Sequence, residues 1–486
     1  MKTVDFNGKP FHFIGIGGIG MSALAYILAK RNIPVSGSDL KSSHITRRLE
    51  EVGALIFNSQ EATNLDIYHS KTKNLTINIG DETNGNGLPH HPQIICSTAI
   101  HNNNLEYLAA LELGYPIYHR SDVLAALIAE YQSIAVAGTH GKTTTSSLIG
   151  YMLLQAGLDP TVIIGGEVDA WDGNARVGKS PYLVAEADES DGSLTKHCAT
   201  IGIVTNIELD HPDHYQSLDQ VVKIFQIFED HSDILIASVD CANVRQYLKP
   251  HITYSLNPDT LADYLAKEIT YDQNGSQAQV WEKGQYLGQL EISIPGSHNV
   301  SNALAAVAVG RKLGLEFNII ADAIATFTGA KRRFEFLGEV NGITFIDDYA
   351  HHPSEIKATL AAARLKVLHN QYKRVVAIFQ PHRYTRTTTF LEEFGASFDD
   401  ADVVILTDIY SAGETNLQNI QGQTVVDEVK KHHNNVYYCP NYQEISNFTE
   451  NILESGDLIL FLGAGNLNQM IPKTIAVQTE RNKIIA

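Results

Sequence analysis

Cysteine is scarce in this chain: four residues among 486, at positions 96, 198, 241 and 439, with no CxxC pair. That spacing excludes a disulfide framework and a paired-thiolate zinc site, and it fits a reducing compartment. Basic charge is also short. Lys and Arg number 36 against 55 Asp and Glu, a formal net charge of −19, so general binding to nucleic acid or to an anionic membrane is not expected. Long apolar runs are missing too. Residues 11–29 follow Lys2 and Lys9 in the manner of a signal peptide, but His12 and four glycines interrupt the run, and Lys30–Arg31 follows without a small-residue cleavage site. No other stretch approaches the roughly 20 apolar residues of a membrane helix. Fixed-period repeats, low-complexity tracts and long charge blocks are absent as well. The expectation is a cytoplasmic protein.

What is present is ordinary globular material, 44% hydrophobic and 19% charged, enough for several cores. At roughly 100–200 residues per domain the length predicts three domains. A strand at 11–16, a glycine-rich turn, a helix over 19–30 and a second strand at 33–37 form a β-turn-α-β unit, which implies a parallel sheet. The pattern restarts near Tyr131, with strands at 133–137, 182–187, 201–205 and 234–238 and a helix over 143–155. A third region begins near Gly329, with strands at 344–346, 374–379, 403–407 and 458–462. The polar stretch Gly80 to His91 reads as a surface loop. The fold class is therefore α/β, in three consecutive domains over 1–120, 121–328 and 329–486.

The strongest motif is Gly138-Thr139-His140-Gly141-Lys142-Thr143-Thr144-Thr145, set between a strand and a helix. Glycines let the backbone curl so that N–H groups face phosphate oxygens, and the helix N-terminus adds positive potential. Lys142 is placed for the β- and γ-phosphates and the Thr143 hydroxyl for Mg²⁺. The loop is shortened, since Val136 stands where the full phosphate-loop pattern has glycine; the bland alternative is a tight turn with an exposed lysine. A second motif, Glu186-Ala187-Asp188-Glu189-Ser190-Asp191, ends an apolar strand. Its four carboxylates repel unless a cation or basic ligand lies among them, and Mg²⁺ wants such hard oxygens; a solvated acidic turn is the alternative. The segment Asn206 to His214 places His211 beside carboxylates after another strand, suiting metal or substrate contact. Near the N-terminus, Gly15, Gly17, Gly18 and Gly20 make a diphosphate cradle, with Asp39 about 20 residues on as in dinucleotide folds. That cradle fits NAD, FAD or any nucleoside diphosphate. Late in the chain, Lys331-Arg332-Arg333, Asp347 to Pro353 and Gln380 to Arg386 gather basic and aromatic groups at strand ends. Arg383 and Arg386 share one face if helical, and paired arginines suit carboxylate or phosphate; surface ion pairs are the alternative. Two phosphate loops on one chain call for two phosphorylated ligands, and metal and arginine candidates suggest phosphoryl activation of an acid followed by attack of an amine.

In order along the chain, GIGGIG, GTHGKTTT, EADESDGS, NIELDHPDHY, HNVSNALAA, RRFE, DDYAHHP, QPHRYTR, AGE at Ala412 to Glu414 and GAG at Gly463 to Gly465 resemble the Mur ligase family from position 15 to 465. Lys331 before the arginine pair is the one departure noted. The resemblance implies a Rossmann-like UDP-substrate domain, a central P-loop-type ATP- and Mg²⁺-binding domain and a Rossmann-like amino-acid domain. It implies that ATP drives L-alanine onto the lactyl carboxylate of UDP-N-acetylmuramate through an acyl phosphate, in peptidoglycan precursor synthesis; reattachment of a recycled tripeptide to the same acceptor is the rival. By motif match, ATP falls to Gly138, Thr139, His140, Gly141, Lys142, Thr143, Thr144, His298, Asn299, Asn302 and Arg333. The UDP substrate falls to Gly15, Gly17, Gly18, Gly20, Ser38, Asp39, Ser97, His140, Glu189 and Ser190. The amino acid or product falls to Tyr349, His351, His382, Arg383 and Arg386, with Lys142, His211, Arg383 and His351 catalytic. Thr143, Glu186 and His211 would hold Mg²⁺, with Mn²⁺ as a substitute. A monomer or weak homodimer is expected.

Overall fold

The computed structural model describes residues 4–68, 91–272 and 275–485, so the expected surface loop from Gly80 lies outside the described residues except for His91. The chain packs as two compact units that alternate along the sequence. Unit 1 holds Met1–Ala137, Ile149–Ile203 and Ile224–Leu235; unit 2 holds Gly138–Leu148, Val204–Lys223 and Ile236–Ala486. Three sheets run through them, of five, ten and six strands.

Unit 1 opens with β1 (Phe11–Ile14), α1 (Ile19–Lys30), β2 (Val35–Ser38), α2 (His44–Glu51), β3 (Leu55–Phe57), β4 (Gln93–Cys96), α3 (Leu105–Glu112), β5 (Ile117–His119) and α4 (Arg120–Glu130). The strands pair in the order β3-β2-β1-β4-β5, all parallel. All four residues of β1 are buried, including His12, as a strand covered on both faces requires. The order reverses between β1 and β4, which opens a crevice at their C-terminal ends. The chain then runs through β6 (Gln132–Ala137), α5 (Lys142–Gln155), β7 (Thr161–Val168), β8 (Gly173–Arg176), β9 (Tyr182–Glu186), β10 (Ala199–Val204), α6 (Leu218–Asp230) and β11 (Ser232–Ser238), with residues 142–148, 204, 218–223 and 236–238 belonging to unit 2. Here β9 lies parallel to both β6 and β7, and β8 is antiparallel to β7.

Unit 2 takes up the chain with α7 (Ala242–Tyr247), β12 (Ile252–Ser255), β13 (Tyr264–Asp272), β14 (Gly275–Glu282), β15 (Gln285–Ile292), α8 (Ser297–Lys312) and α9 (Phe317–Ala325). β13, β14 and β15 form an antiparallel meander with register shifts after Lys267 and Val280. The sequence reading placed no strand here, because these strands alternate half-buried with polar positions and lack the apolar run of a doubly covered strand. The last sheet holds β16 (Glu335–Val340), β17 (Ile343–Asp348), β18 (Arg374–Phe379), β19 (Val403–Leu406), β20 (Val436–Tyr438) and β21 (Asp457–Leu462), in the order β16-β17-β21-β18-β19-β20. Only the pairing of β16 with β17 is antiparallel. Val375, Ala377 and Phe379 face one core, and Val376 and Ile378 the other, so both faces are covered and the parallel strand ends point one way. The helices α10 (Pro353–Leu368) and α11 (Tyr384–Thr389) start just beyond that edge.

Candidate active site

In unit 1 the glycine loop follows β1. Gly15 takes φ +81°, and its N–H and that of Ile16 donate to the Ser38 carbonyl at 2.8 and 2.9 Å. The Gly17 N–H donates to Asp39 Oδ2 at 2.9 Å, and a Cβ on Gly17 would sit 2.8 Å from that oxygen. The loop thus needs glycine for close approach, and it ends at the N-terminus of α1, whose first turn carries no acidic residue, a setting for an anion. Ser38 is fully buried, its hydroxyl donates to Glu106 and its carbonyl holds the loop, so it shapes the cradle from behind. Asp39 spends one oxygen on Gly17 and the other on the Lys41 N–H, so it braces the loop. Ser97 is half-buried just past β4.

Beyond β9, the acidic run carries its own cation. Arg120 Nη2 donates to Asp188 Oδ2 at 2.9 Å and lies 3.6 Å from Asp191 Oδ2. The same guanidinium would meet a Cβ on Gly20 at 3.5 Å, which places it beside the glycine loop. The sequence reading missed Arg120, which lies 68 residues from Asp188 and in no motif. Ser190 donates its hydroxyl to Asp188 at 2.9 Å, and Glu189 is buried. Glu186 accepts the Gly165 N–H at 2.7 Å and is only half-buried.

In unit 2 the phosphate loop is built from its backbone outward. Gly138 takes φ +139° against Thr205, and Gly141 φ +80° against Asn302. Thr139 exchanges hydrogen bonds with the Glu208 backbone, and the His140 N–H donates to Asn206 Oδ1 at 2.8 Å. Lys142 Nζ donates to the Gly138 and Thr139 carbonyls at 2.8 and 3.1 Å, curling over its own loop. Arg333 reaches in to donate to the Thr143 hydroxyl at 3.3 Å. A cavity of about 550 Å³ opens beside the loop, lined by His140, Gly141, Thr144, His298, Asn299, Asn302 and Arg333 among others. Its size suits a nucleotide. Asn302 donates to Asn299, which donates to the Pro295 carbonyl, so this wall is pre-formed.

The loop's imidazole is the most constrained group in the site. His140 donates from Nε2 to Glu208 at 3.3 Å and from Nδ1 to Glu355 at 3.2 Å. Burial works against its charge, but these two carboxylates outweigh it and hold its pKa up at about 10. In return the His140 hydrogen bond draws the Glu208 carboxyl down to about 2. His140, Glu208 and His352 offer donor atoms within 4.8 Å of one another. A proton on His140 already neutralises this group, and two imidazoles with one carboxylate are not the hard oxygens Mg²⁺ selects. Thr143, Glu186 and His211 do not form that cluster. Thr143 and Glu186 nevertheless offer oxygens of the right chemistry. The His211 ring is held by Arg386, whose Nη2 lies 3.5 Å from Nδ1.

At the edge of the six-stranded sheet, Tyr349 lies under Arg332 and Arg333, 4.9 and 5.1 Å from their guanidinium carbons. His351 packs against Tyr349 and His382, and His382 stacks on Tyr410. Burial, with the Arg386 and Arg383 cations nearby, pushes His382 down to about 2, so it is neutral. The two arginines stand in different surroundings. Arg383 is the residue before α11, at φ +69°, and it pairs with Asp213 and Glu414 at 3.0 and 3.2 Å. Arg386 is 2% exposed, bound to Asp210 at 2.9 Å and donating to His382 Nδ1 at 3.2 Å. Arg386 is therefore braced internally, while Arg383 keeps a third of its side chain exposed. Glu208 and Asp210 bind His140 and Arg386 at the site, where reading the sequence named only their segment; Glu355, which binds His140, it did not single out.

Known proteins agree with this layout. Residues 10–132 match the catalytic domain of the Mur ligase family, 136–310 the Mur ligase middle domain and 332–465 the Mur ligase glutamate ligase domain. The chain is similar to a UDP-N-acetylmuramate–L-alanine ligase of Gloeothece citriformis, 66% identical over 98% of this chain and 99% of the relative. It is 64% identical to one of Microcystis aeruginosa, over 99% of this chain and 98% of the relative. A solved UDP-N-acetylmuramate–alanine ligase of Thermotoga maritima shares 27% identity at a TM-score of 0.79, covering 98% of this chain and 100% of that one. With the motifs, the three sheets and these matches spanning nearly the whole chain, the protein belongs to the Mur ligase family.

Proposed function

We propose that the chain is an ATP-dependent ligase that joins L-alanine to the lactyl carboxylate of UDP-N-acetylmuramate, releasing ADP and phosphate, in the synthesis of peptidoglycan precursors. The observation that carries this is the convergence in unit 2 of a phosphate loop, Arg333 on Thr143 and the Tyr349–His351–His382 cluster. The relatives at 64% and 66% identity bear the alanine-adding name. A murein peptide ligase of Psychrobacter arcticus shares 22% identity, a likeness that speaks for the fold alone.

The lactyl carboxylate attacks the γ-phosphorus, ADP leaves, and an acyl phosphate forms. The alanine amine then attacks the acyl carbon, phosphate departs with one carboxylate oxygen, and the amine gives up a proton. Lys142 and Arg333 neutralise charge on the transferring phosphoryl group. Thr143, Glu186 and His211 would hold Mg²⁺, or Mn²⁺ in its place, which would supply further charge neutralisation. His298, Asn299 and Asn302 take the adenine side, while Gly15, Gly17, Gly18 and Gly20, with Ser97, Glu189 and Ser190, take the UDP substrate. Arg383 receives the alanine carboxylate. His351 is suited to accept the amine's proton: its Nδ1 lies 2.9 Å from the Tyr349 carbonyl and 3.1 Å from Glu355, which makes Nδ1 the N–H and leaves Nε2 with a lone pair. Borders near 120 and 328, a cytoplasmic location and a monomer or weak homodimer complete the reading. No helix among the described residues is long and apolar enough to cross a membrane.

The test is phosphate release with ATP, UDP-N-acetylmuramate and each amino acid in turn. Release should require the acceptor and be greatest with L-alanine. With ¹⁸O in the lactyl carboxylate, one labelled oxygen should appear in the phosphate; oxygen drawn from solvent during productive ligation would contradict the acyl phosphate.

A further inference from the structure

Glu355 is the third residue of α10, and a glutamate there ordinarily closes a capping box. It does so here, with the His352 side chain and backbone. The cap accounts for one contact, the His352 N–H at 3.3 Å. It leaves three others unexplained. Glu355 Oε1 accepts from His140 Nδ1 of the phosphate loop at 3.2 Å, across 215 residues of sequence. Oε2 accepts the His351 N–H at 3.0 Å and lies 3.1 Å from the His351 ring Nδ1. The carboxylate is half-buried in the wall of the nucleotide cavity. One side chain therefore holds the loop that carries ATP phosphates and the imidazole that faces the amino acid.

We propose that Glu355 is a positioning residue for both half-reactions: its two oxygens fix His140 against the phosphate loop and set the ring of His351 with its proton on Nδ1, so that the phosphoryl and amino-acid halves of the site are aligned by one group. A single carboxylate can do this because its oxygens point apart; one accepts from each histidine, and both histidines donate. A carboxamide of the same size cannot, since its NH₂ end would face a ring N–H. A carboxylate one methylene shorter keeps the charge at the helix start but cannot span both partners. The proposal rests on the ligase reading above.

The experiment measures wild type, Glu355→Gln, Glu355→Asp, His140→Ala and the double variant His140→Ala/Glu355→Gln in the full chain. Readouts are KM for ATP and for L-alanine, kcat, Kd for UDP-N-acetylmuramate by calorimetry, and Tm. Both Glu355 variants should raise the KM for ATP and for alanine by about fivefold or more and lower kcat by about tenfold or more. The Kd for UDP-N-acetylmuramate should stay within about twofold, and Glu355→Asp should hold Tm within about 3 °C because its helix cap survives. In the double variant the ATP defect should be no larger than in His140→Ala, while the alanine defect should persist. Unchanged KM values with a loss of activity that follows Tm would overturn the proposal, as would a KM shift confined to one substrate. Failure of the wild type to release phosphate with these substrates would instead count against the ligase reading.

Discussion

Lys142 and Arg386 are both cations of the site, and their surroundings set them to opposite tasks. Lys142 bonds to two carbonyls of its own loop, contacts it can exchange for phosphate oxygens without leaving a buried charge behind. Lys142→Ala should lower ATP turnover about 10³-fold or more and leave UDP-N-acetylmuramate binding intact, since the glycine loop for that ligand is built in unit 1; near-normal phosphate release would remove the loop from the mechanism. Arg386 is fixed between Asp210, His382 and His211. Removing it leaves Asp210 buried with His211 but without its guanidinium partner, a loss of about 3–5 kcal/mol, so Arg386→Ala should unfold at a markedly lower temperature or denaturant concentration. Arg383→Ala should instead keep the melting curve and raise the KM for alanine about tenfold or more. Equal Tm losses in the two variants would show that the arginines do share one role.

The phosphate loop shows what an element adds to its residues. Gly138 sits at φ +139°, and a Cβ there would meet Thr205 Oγ1 at 1.9 Å, inside any allowed contact. Gly138→Ala should abolish measurable ADP binding by calorimetry while the Lys142 side chain is still present; retained affinity would mean the loop can reshape. The His140–Glu208 pair that closes the loop gives a pH signature. His140 rises from 6.5 to about 10 on folding, so its contribution is full below pH 6.5 and fades as pH climbs through 10. Glu208 falls from 4.5 to about 2, so its contribution is full above pH 4.5 and fades as pH drops through 2. The stability gap between wild type and Glu208→Gln should therefore be widest near pH 4.5–6.5 and narrow steadily toward pH 10; a gap that widens with alkali would contradict the pairing. Sequence showed where this loop stands, because a strand, a glycine turn and a helix are contiguous. It did not show what fixes the loop, because Asn206, Glu208 and Glu355 arrive from distant strand ends. The same holds for Arg386, read as a clamp by its spacing from Arg383, when its partner Asp210 lies 176 residues away. The meander of β13–β15 escaped for a different reason: half-covered strands carry no continuous apolar run.

Across the whole molecule, the chain passes from one unit to the other after Ala137, Leu148, Ile203, Lys223 and Leu235. The segments that build the nucleotide cavity of unit 2 are thus scattered before and after stretches of unit 1. A fragment of residues 236–486 contains α8, Arg333 and Glu355 but lacks the 138–148 loop and the 204–223 segment, and it should show no ADP binding by calorimetry even if soluble; binding with native affinity would mean the loop is dispensable. The same interleaving has a consequence in time. A ribosome delivers residues at about 5–20 per second, so the 215 positions separating His140 from Glu355 correspond to roughly 10–40 s of synthesis at that rate. During that interval the emerging chain already carries its first glycine loop, while the imidazole of the second still waits for its acidic anchor. The newborn polypeptide should gain a grip on its acceptor substrate well before it can hold ATP.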